Sequence, residues 1–459
     1  MRDVKFVRAK CLISTLAILL MTISLSTTGL GVAAEPKRLN SNAPQIGLNF
    51  IRFYWPESPR GGLDTSTPYR QPDWIFNDFA DLGVHAYRQF VKADLLWDVV
   101  EPRDNEWNWQ AADVVLRNPE FEPIVTLFSL QYSSPTPPWA SSPAQFQKRI
   151  GVEARDYLET VVRRYASFVR YWELGNELDH WRAADPNEKP LGKERLPSSY
   201  PVDGFSPYDQ GIFLSEVAAI IRSLDPDAVI VMPGLGALDD YCVNSWLSGV
   251  VEGGGSEWFD IVNYHYYSSW ERYTLLRVQL QDALKRLGIS DKPVWLTETG
   301  ATASPTLTIR TNYPNSPESQ AADVFRRIVQ AYGHGDSFVA WHTYIGSSDT
   351  TGDWRAYGIR TEKAEAQPAY FAFRLLTHEL IPFERVEKIS ADAKGMNVYK
   401  ITTREGTVKY VAWGNGIYLV PAGITEMTIV TPETDGSYSW QLTRPGEAIS
   451  LSSNPILLK

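Results

Sequence analysis

Two glutamates stand at the ends of short apolar runs that have the composition of buried strands. Glu177 ends residues 172–177 (WELGNE), and Glu298 lies within residues 294–300 (VWLTETG). A carboxylate in such a place is costly to remove from water, so it is usually paired with a cation or used in chemistry. A single acid would fit a structural ion pair with an arginine. Two acids on separate strands favour a reaction that needs paired carboxyl groups.

Cleavage of a glycosidic bond uses two carboxyl groups in different protonation states. One carboxyl donates a proton to the leaving oxygen, and the other is ionised and attacks the anomeric carbon. A dry pocket and mutual repulsion favour protonation of the first acid, while a cationic neighbour keeps the second ionised. The chain also contains 16 Trp and 23 Tyr residues, whose rings pack in any core but also offer flat faces to sugars. Both features point to carbohydrate chemistry.

The elements that would position these acids alternate along the chain. Eight apolar runs are predicted as strands, at 45–53, 85–90, 122–129, 169–174, 228–233, 261–267, 294–298 and 337–342. Amphipathic stretches predict helices between them, notably at 153–165, 209–224, 270–287 and 319–332, with a last helix at 368–380. This alternation predicts an α/β fold, a (β/α)8 TIM barrel, in which reactive groups project from the C-terminal ends of the strands.

The pattern changes after residue 382. Polar and apolar residues alternate in short segments at 398–403, 408–413, 417–420, 427–430 and 438–442, and glycine-containing turns punctuate this region. We therefore expect a catalytic barrel at 35–382, followed by a small C-terminal antiparallel β-sandwich domain at 383–459. This second domain is expected to pack against the barrel and not to bind sugar.

Residues 1–34 have the features of a signal peptide. A basic start precedes an apolar run from Cys11 to about residue 25, and residues 32–34 (VAA) offer a small-residue cleavage site. The apolar run is short for a membrane span and contains Ser and Thr, which favours cleavage over an uncleaved anchor. We expect a secreted or periplasmic protein that does not associate with a membrane after cleavage.

Charge and cysteine content restrict the classes of partner. Loss of residues 1–34 removes four basic residues and one acidic residue, which changes the formal net charge from −10 to −13. An acidic surface disfavours nucleic acid and anionic membranes. Cys242 would be the one cysteine left, so no intramolecular disulfide is expected. The sequence has no cluster of metal ligands at the usual spacing and no phosphate-binding glycine loop, so we expect no cofactor. The expected partner is a polysaccharide or oligosaccharide, bound by a monomer.

An ordered set of further motifs accompanies the two acids. Asn176 precedes Glu177, and Arg88 ends the second predicted strand. The other motifs are residues 97–109 (WDVVEPRDNEWNW), 265–267 (HYY), Trp341, 357–359 (YGI), 367–370 (QPAY) and 452–457 (SSNPIL). Taken together, this set resembles the clan A retaining glycoside hydrolases, and within that clan families 39 and 5.

The resemblance implies a retaining mechanism. Glu177 would be the acid/base and Glu298 the nucleophile. Asn176 would donate a hydrogen bond to the 2-hydroxyl of the substrate, and Arg88 would keep Glu298 ionised. Retaining enzymes hold their two carboxyl groups about 5–5.5 Å apart and inverting enzymes roughly 6.5–9.5 Å apart, so a separation beyond the longer range would refute this mechanism.

Aromatic residues and a histidine are expected around the acids. The resemblance implies that Tyr267 hydrogen-bonds Glu298, with Tyr266 as the alternative. His265 would orient an acid or contact sugar, or be a hydrogen-bonded core histidine. Trp341 would stack on the sugar at the cleavage site. Trp139, in the loop after the third predicted strand, is a further candidate platform for a sugar ring.

Family and substrate both stay open. Family 5 enzymes usually carry a histidine near the end of the third strand, where this chain has residues 127–129 (LFS). Family 39 enzymes usually have proline after the acid/base, where this chain has Leu178. We expect endo action on a β-linked polysaccharide. The alternatives are an exo-acting, xylosidase-like β-glycosidase, a transglycosylase and a catalytically inactive carbohydrate-binding barrel.

Overall fold

The computed structural model describes most of the chain after residue 42. The described residues are 43–49, 73–89, 95, 97–128, 137–141, 148–180, 206–304, 315–346, 357–361, 364–391, 395–433 and 436–459. The signal peptide predicted at 1–34 lies outside them. Within these residues, the helices are too short or too polar to cross a membrane.

Eight parallel strands form a barrel. They are β1 (Ile46–Asn49), β2 (Ala86–Gln89), β3 (Glu122–Thr126), β4 (Tyr171–Glu173), β5 (Val229–Val231), β6 (Val262–Tyr266), β7 (Val294–Thr299) and β8 (Phe338–His342). Hydrogen bonds join them in the order β5-β4-β3-β2-β1-β8-β7-β6. Two isolated parallel bridges, Val231 with Ile261 and Leu235 with Tyr264, join the ends of this series and nearly close the circle. The predicted (β/α)8 barrel is therefore confirmed.

Helices fill the connections between the strands. They are α1 (Asp73–Leu82), α2 (Trp97–Val100), α3 (Gln110–Leu116), α4 (Val152–Tyr165), α5 (Pro207–Leu224), α6 (Leu247–Gly254), α7 (Trp270–Arg286), α8 (Pro317–Gly333) and α9 (Pro368–Leu380). The starts of α5 and α8 are fixed by Ser206 and Ser316. Each serine side chain accepts a hydrogen bond from the backbone N–H three residues later, and a proline follows it directly.

The side chains inside the barrel change from apolar to polar along the strands. Those nearer the N-terminal ends are apolar, namely Ala86, Ile124, Tyr171, Val229, Val231, Ile261, Trp295, Phe338 and Ala340. Side chains two residues apart on a strand face the same side, so the next inward positions lie toward the C-terminal ends. On most strands those positions are polar and buried, as at Arg88, Thr126, Glu173, Asn263, Thr297 and His342. The strands thus place polar side chains above apolar ones.

An antiparallel sheet follows the barrel. Its strands are β9 (Phe383–Ala391), β10 (Met396–Thr403), β11 (Val408–Gly414), β13 (Glu426–Ile429), β14 (Trp440–Leu442) and β16 (Ile456–Leu458), in the order β14-β13-β16-β11-β10-β9. A separate pair, β12 (Gly416–Leu419) with β15 (Ala448–Leu451), shares an apolar cluster with this sheet. The expected antiparallel β architecture is confirmed, and the division into domains at residue 383 stays a prediction.

The opposite face of the six-stranded sheet packs against the helices of the barrel. Tyr399 and Trp413 belong to the same apolar core as those helices. Trp413 stacks on Tyr399 with 5.3 Å between ring centroids and meets Trp270 of α7 edge-on at 6.1 Å. A β-carbon added to Gly333, at the end of α8, would lie 2.3 Å from the ring of Tyr399. Sheet and helices therefore share one closely packed core.

Candidate active site

Glu298 reaches the interior of the barrel through an irregularity in β7. β6 and β7 pair regularly as far as Tyr264 and Leu296, after which His265 lies opposite Glu298. A bulge of this kind re-aims side chains, so neighbours on the strand can both serve one site. Thr297 and Glu298 both contact groups inside the barrel, and Glu298 is only 3% exposed.

Arg88 binds Glu298 and two further side chains. Its Nη1 lies 2.5 Å from Oε1 of Glu298, and its Nε and Nη2 lie 2.5 and 2.9 Å from the two carboxylate oxygens of Glu173. Nη2 also donates to Oδ1 of Asn176 at 2.5 Å. Burial alone would lower the pKa of Arg88, but the negative charges of Glu173 and Glu298 raise it. The guanidinium therefore stays charged.

The second oxygen of Glu298 is bound by Tyr267. The Tyr267 hydroxyl donates to Oε2 at 2.6 Å, whereas the Tyr266 hydroxyl donates to the carbonyl oxygen of Ser269. The hydrogen bond predicted for Tyr267 is therefore present, and the alternative assignment to Tyr266 is wrong. Burial and the charge of Glu298 raise the pKa of Tyr267 well above 10, so this phenol remains a donor.

The environment of Glu298 favours its ionised form. Burial would raise the pKa of this carboxyl group, but the imidazole of His265 and the guanidinium of Arg88 lower it by more. The pKa of Glu298 consequently lies below its usual value of 4.5. An ionised carboxylate is the state that a nucleophile requires.

The backbone around Glu177 is held by the segment that follows β5. The N–H of Glu177 donates to the carbonyl oxygen of Gly234 at 3.1 Å, and the Asp179 carboxylate accepts from the N–H of Gly236. Gly175 and Glu177 have φ angles of +112° and +48°. A positive φ is uncommon for glutamate, and such conformations persist where surrounding contacts enforce them, often at functional sites.

His265 lies between the two acids. Its Nδ1 is 2.7 Å from Oε1 of Glu177 and 3.6 Å from Oε2 of Glu298, and its Nε2 is 3.1 Å from Oγ1 of Thr297. The side chain has no exposed surface. Orientation of an acid therefore fits this placement, whereas contact with a sugar does not.

Asn176 presents an available donor beside the acids. The residue is fully buried, and its Oδ1 accepts from Arg88. Its Nδ2 has no hydrogen-bond partner among the described residues. Buried donors are rarely left unpaired, so this amide is suited to a hydroxyl of a bound molecule. The contact with a substrate 2-hydroxyl stays a prediction that this placement supports.

The two acids are close together. One oxygen of Glu177, one oxygen of Glu298 and a ring nitrogen of His265 lie within 4.8 Å of one another. Inverting enzymes leave room for a water molecule and separate their carboxyl groups by roughly 6.5–9.5 Å. The closeness of these oxygens fits the retaining arrangement, and the separation that would refute a double displacement is not found.

The same three side chains could surround a metal ion as far as distance is concerned. Their atoms are already engaged, since Glu177 contacts His265 and the oxygens of Glu298 accept from Arg88 and Tyr267. A guanidinium at hydrogen-bonding distance would also repel a cation. We therefore interpret this cluster as an acid–base site.

The prediction that Trp341 stacks on a sugar is wrong. Trp341 belongs to the apolar core between the barrel and its helices and has no exposed surface. Ala340 faces the barrel interior, so the alternation of β8 turns Trp341 outward and His342 inward. The ring at the C-terminal end of β8 that faces the acids is a histidine.

His342 lies beside Glu298. Its Nδ1 is 4.0 Å from Oε2 of Glu298, and its ring meets those of Tyr267 and Tyr357 at centroid distances of 5.8 and 6.2 Å. Burial lowers the pKa of His342 to about 4. The ring is therefore neutral at neutral pH.

Trp139 packs on the segment after β2. Its half-buried ring meets Trp97 edge-on at 5.7 Å, and its indole N–H donates to the carbonyl oxygen of Glu101 at 3.0 Å. These contacts fix the orientation of the ring. Its use as a sugar platform stays a prediction.

Several buried residues of the site receive no role from the sequence motifs. Among them are Glu173, Asn263, Thr297 and His342. Each lies two residues after an inward-facing apolar residue of the barrel, so strand alternation carries a signal for them. Glu173 is the most connected, because its carboxylate accepts from Arg88, Thr126 and Asn263.

No family model and no curated protein matches this sequence. Similar solved structures include a family 39 glycoside hydrolase from the gut symbiont Bacteroides cellulosilyticus WH2, with a TM-score of 0.59 and 16% identity over 90% of this chain and 80% of that chain. A glucosidase from Croceicoccus marinus has a TM-score of 0.57 and 12% identity over 90% and 94% of the two chains.

A third similar structure is a monomeric β-xylosidase from Caulobacter crescentus CB15, with a TM-score of 0.52 and 13% identity over 90% of this chain and 95% of that chain. At these identities the likeness concerns the fold. The chain thus has the fold of clan A glycoside hydrolases, whose families 39, 51 and 30 are represented among the similar structures.

Proposed function

We propose that the protein is a retaining β-glycoside hydrolase that cleaves O-glycosidic bonds of a polysaccharide. The observation that carries this proposal is the pair Glu177 and Glu298, which bring one oxygen each to within 4.8 Å of the other and have different surroundings. Arg88 and Tyr267 both donate to Glu298, whereas Glu177 faces a histidine. Two carboxyl groups with such different neighbours can divide the roles of nucleophile and proton donor between them.

The reaction proceeds in two displacements. Glu298 attacks the anomeric carbon while Glu177 transfers its proton to the leaving oxygen, so the glycosidic bond breaks and a glycosyl ester forms. Glu177, now a carboxylate, takes a proton from water as the water oxygen attacks the same carbon and releases Glu298. Nδ2 of Asn176 binds the 2-hydroxyl throughout. Two inversions leave the anomeric configuration unchanged.

The substrate and the location belong to the same proposal. We favour endo action on a β-linked polysaccharide outside the cytoplasm, reached through the N-terminal segment 1–34. Exo action is the second candidate, because similar structures include a glucosidase and a β-xylosidase. A transglycosylase would use the same residues and differ only in its acceptor.

A panel of xylan, glucan, mannan and mixed exopolysaccharide tests the proposal. Mass spectrometry of the products separates endo from exo cleavage and reveals any transfer to sugar acceptors. Proton NMR of the first-formed anomer decides the stereochemistry, and a product of inverted configuration would contradict the mechanism.

The variant Glu298→Gln supplies the matched test of the site. It should abolish hydrolysis and retain binding of oligosaccharide, since the amide keeps the shape of the carboxylate but is a poor nucleophile. Glu106→Gln is the control, because Glu106 is an exposed glutamate paired with Arg103. Full activity of the Glu298 variant would refute the assignment.

A further inference from the structure

A chain of hydrogen bonds leads from Glu173 to Glu177. Nδ2 of Asn263 lies 2.6 Å from Glu173, and Oγ1 of Thr297 lies 2.8 Å from Oδ1 of Asn263. Nε2 of His265 follows at 3.1 Å from Thr297, and its Nδ1 is 2.7 Å from Glu177. All five side chains are buried, so each bond is protected from exchange with solvent.

The direction of these bonds is fixed at the Glu173 end. Two nitrogens of Arg88 and the hydroxyl of Thr126 donate to the Glu173 carboxylate, which as an ionised group can only accept. Asn263 must therefore turn its NH2 group toward Glu173. Its carbonyl oxygen is left to face Thr297, since the reverse orientation would bring two acceptors together.

Thr297 determines the direction of the next hydrogen bond, which joins it to His265. A hydroxyl has one proton, and Thr297 uses it to donate to Oδ1 of Asn263. Toward Nε2 of His265 the same oxygen can only accept. Nε2 must consequently carry a proton.

We infer that Asn263 and Thr297 are positioning residues that hold His265 as the tautomer with its proton on Nε2, so that Nδ1 faces Glu177 as an acceptor. Short contact between Nδ1 and Glu177 then requires the proton to be on Glu177. The opposite tautomer would donate from Nδ1 and stabilise the Glu177 carboxylate. The network therefore keeps Glu177 protonated, which is the state that a proton donor requires.

The consequence for the reaction rests on the proposed function. When Glu177 has given its proton to the leaving group, its carboxylate faces the lone pair of Nδ1 at 2.7 Å. Two acceptors at this distance repel each other, which favours removal of a proton from water in the second displacement. One tautomer thus serves both halves of the reaction.

Other ionisable groups also face His265. Oε2 of Glu298 lies 3.6 Å from Nδ1, and Arg88 and His342 approach from β2 and β8. The charges of Glu298 and Arg88 oppose each other at this point. The hydroxyl oxygen of Thr297 accepts from Nε2, on the other side of the ring, and so selects the tautomer independently of them.

The position of the proton can be measured without any catalysis. The chain contains six histidines, so ring-labelled ¹⁵N-histidine gives few NMR signals, and His265→Asn identifies the relevant one. At neutral pH we expect a protonated Nε2 and an unprotonated Nδ1. An unprotonated Nε2, or an imidazolium with both nitrogens protonated, would overturn the inference even if the protein proves to be an active glycosidase.

Kinetics of Thr297→Val test the consequence for Glu177. This isosteric variant frees Nε2, so the alkaline limb of the kcat/KM profile should move down by about one to two pH units. Hydrolysis of an alkyl glycoside should fall about 10–100-fold, while a dinitrophenyl glycoside, whose leaving group needs no proton, should change only a few-fold. Thr297→Ser should restore the wild-type profile.

Thr299→Val is the matched control on the same strand. The Thr299 hydroxyl is buried as well and donates to the carbonyl oxygen of Tyr266, away from His265. Its loss should lower stability without moving the alkaline limb. The inference would be overturned if Thr297→Val lost equal activity on both glycosides and its alkaline limb did not move. If that variant does not fold, the NMR measurement on the wild-type protein decides the question.

Discussion

Nη1 of Arg88 lies 2.5 Å from Oε1 of Glu298, and the rest of the same guanidinium binds Glu173 and Asn176. One buried cation therefore binds two buried carboxylates and orients the amide next to Glu177. The planar fork of arginine suits this task, because its N–H groups point in fixed and divergent directions. The positions of the Glu298 carboxylate and of the Asn176 amide depend on one side chain.

Arg88→Lys should consequently be far from conservative. Lysine keeps the charge but offers one nitrogen, so several charge-assisted hydrogen bonds are lost, at a cost of about 2 kcal/mol or more in unfolding free energy. Activity should fall by at least about 100-fold, since a shift of 1 Å in the reacting groups is that costly. Denaturant titration and kcat/KM measure the two effects.

Arg277→Lys provides the comparison for Arg88. Arg277 is also buried and binds Asp336 through two nitrogens, and it lies outside the acid–base cluster. This variant should lose stability and keep its activity per folded molecule. A similar loss of activity in both variants would show that the effect of Arg88→Lys is merely structural.

Glu177→Ala should slow hydrolysis of unactivated glycosides by about 10²–10⁴-fold, the usual contribution of a general acid. Glycosides with a good leaving group should form the ester at nearly the normal rate and then stall, because no base activates water. Added azide should relieve the stall and give a glycosyl azide of retained configuration, detected by NMR. A uniform loss on all substrates would argue against the acid/base role.

Tyr267→Phe should lower kcat by about 10–100-fold, the range expected for one hydrogen bond to a charged group. The acid limb of the pH profile should also move upward, because the carboxylate of Glu298 loses a donor. Tyr266→Phe is the matched control, since its hydroxyl binds the carbonyl oxygen of Ser269 instead. The prediction fails if the two variants behave alike.

Gly234→Ala should impair the site by adding a single carbon atom next to His265. A β-carbon at this position would lie 2.2 Å from Nε2 of His265, so the imidazole would have to leave its place between Thr297 and Glu177. We expect a loss of activity of about 100-fold in a folded protein. Gly335→Ala is a strained control with open space around it and φ of +87°, and it should lose stability alone. Retained activity in Gly234→Ala would contradict the placement of His265.

His342 should contribute to loss of stability in acid. Its pKa is about 4 in the folded protein against 6.5 in an unfolded chain, so the unfolded state binds the proton first. The stabilisation is complete above pH 6.5 and is lost as the pH falls to about 4, by up to about 3 kcal/mol. In His342→Asn, urea titrations between these pH values should show a smaller decline. Equal slopes in both proteins would refute the contribution.

The two acids could be predicted because apolar strands that end in glutamate converge at one end of a parallel barrel. The error at Trp341 has an equally simple cause. Neighbouring residues of a strand face opposite sides, so Trp341 and His342 point in opposite directions. The sequence favours the larger ring of Trp341 for binding sugar, but His342 is the residue that faces the acids. The links among Glu173, Asn263 and Thr297 join three separate strands, and spacing along the chain does not reveal such contacts.

The helices and strands were predictable to different degrees. The helix expected at 153–165 is found as α4 (Val152–Tyr165), because its apolar residues recur at helical spacing. The strand β9 (Phe383–Ala391) has no counterpart among the predicted segments. It forms the edge of its sheet and is rich in charged residues, so it lacks the apolar alternation that marks a half-buried strand.

Trp413 and Tyr399 share a core with Trp270, so the sheet and the barrel depend on each other for their packing. The ring of Tyr399 occupies the space that a side chain at Gly333 would need, so a change on one side of this contact requires a change on the other. An appendage joined by a linker can be exchanged between genes. Here any replacement of the sheet would have to reproduce the packing of Trp413 and Tyr399 on the helices.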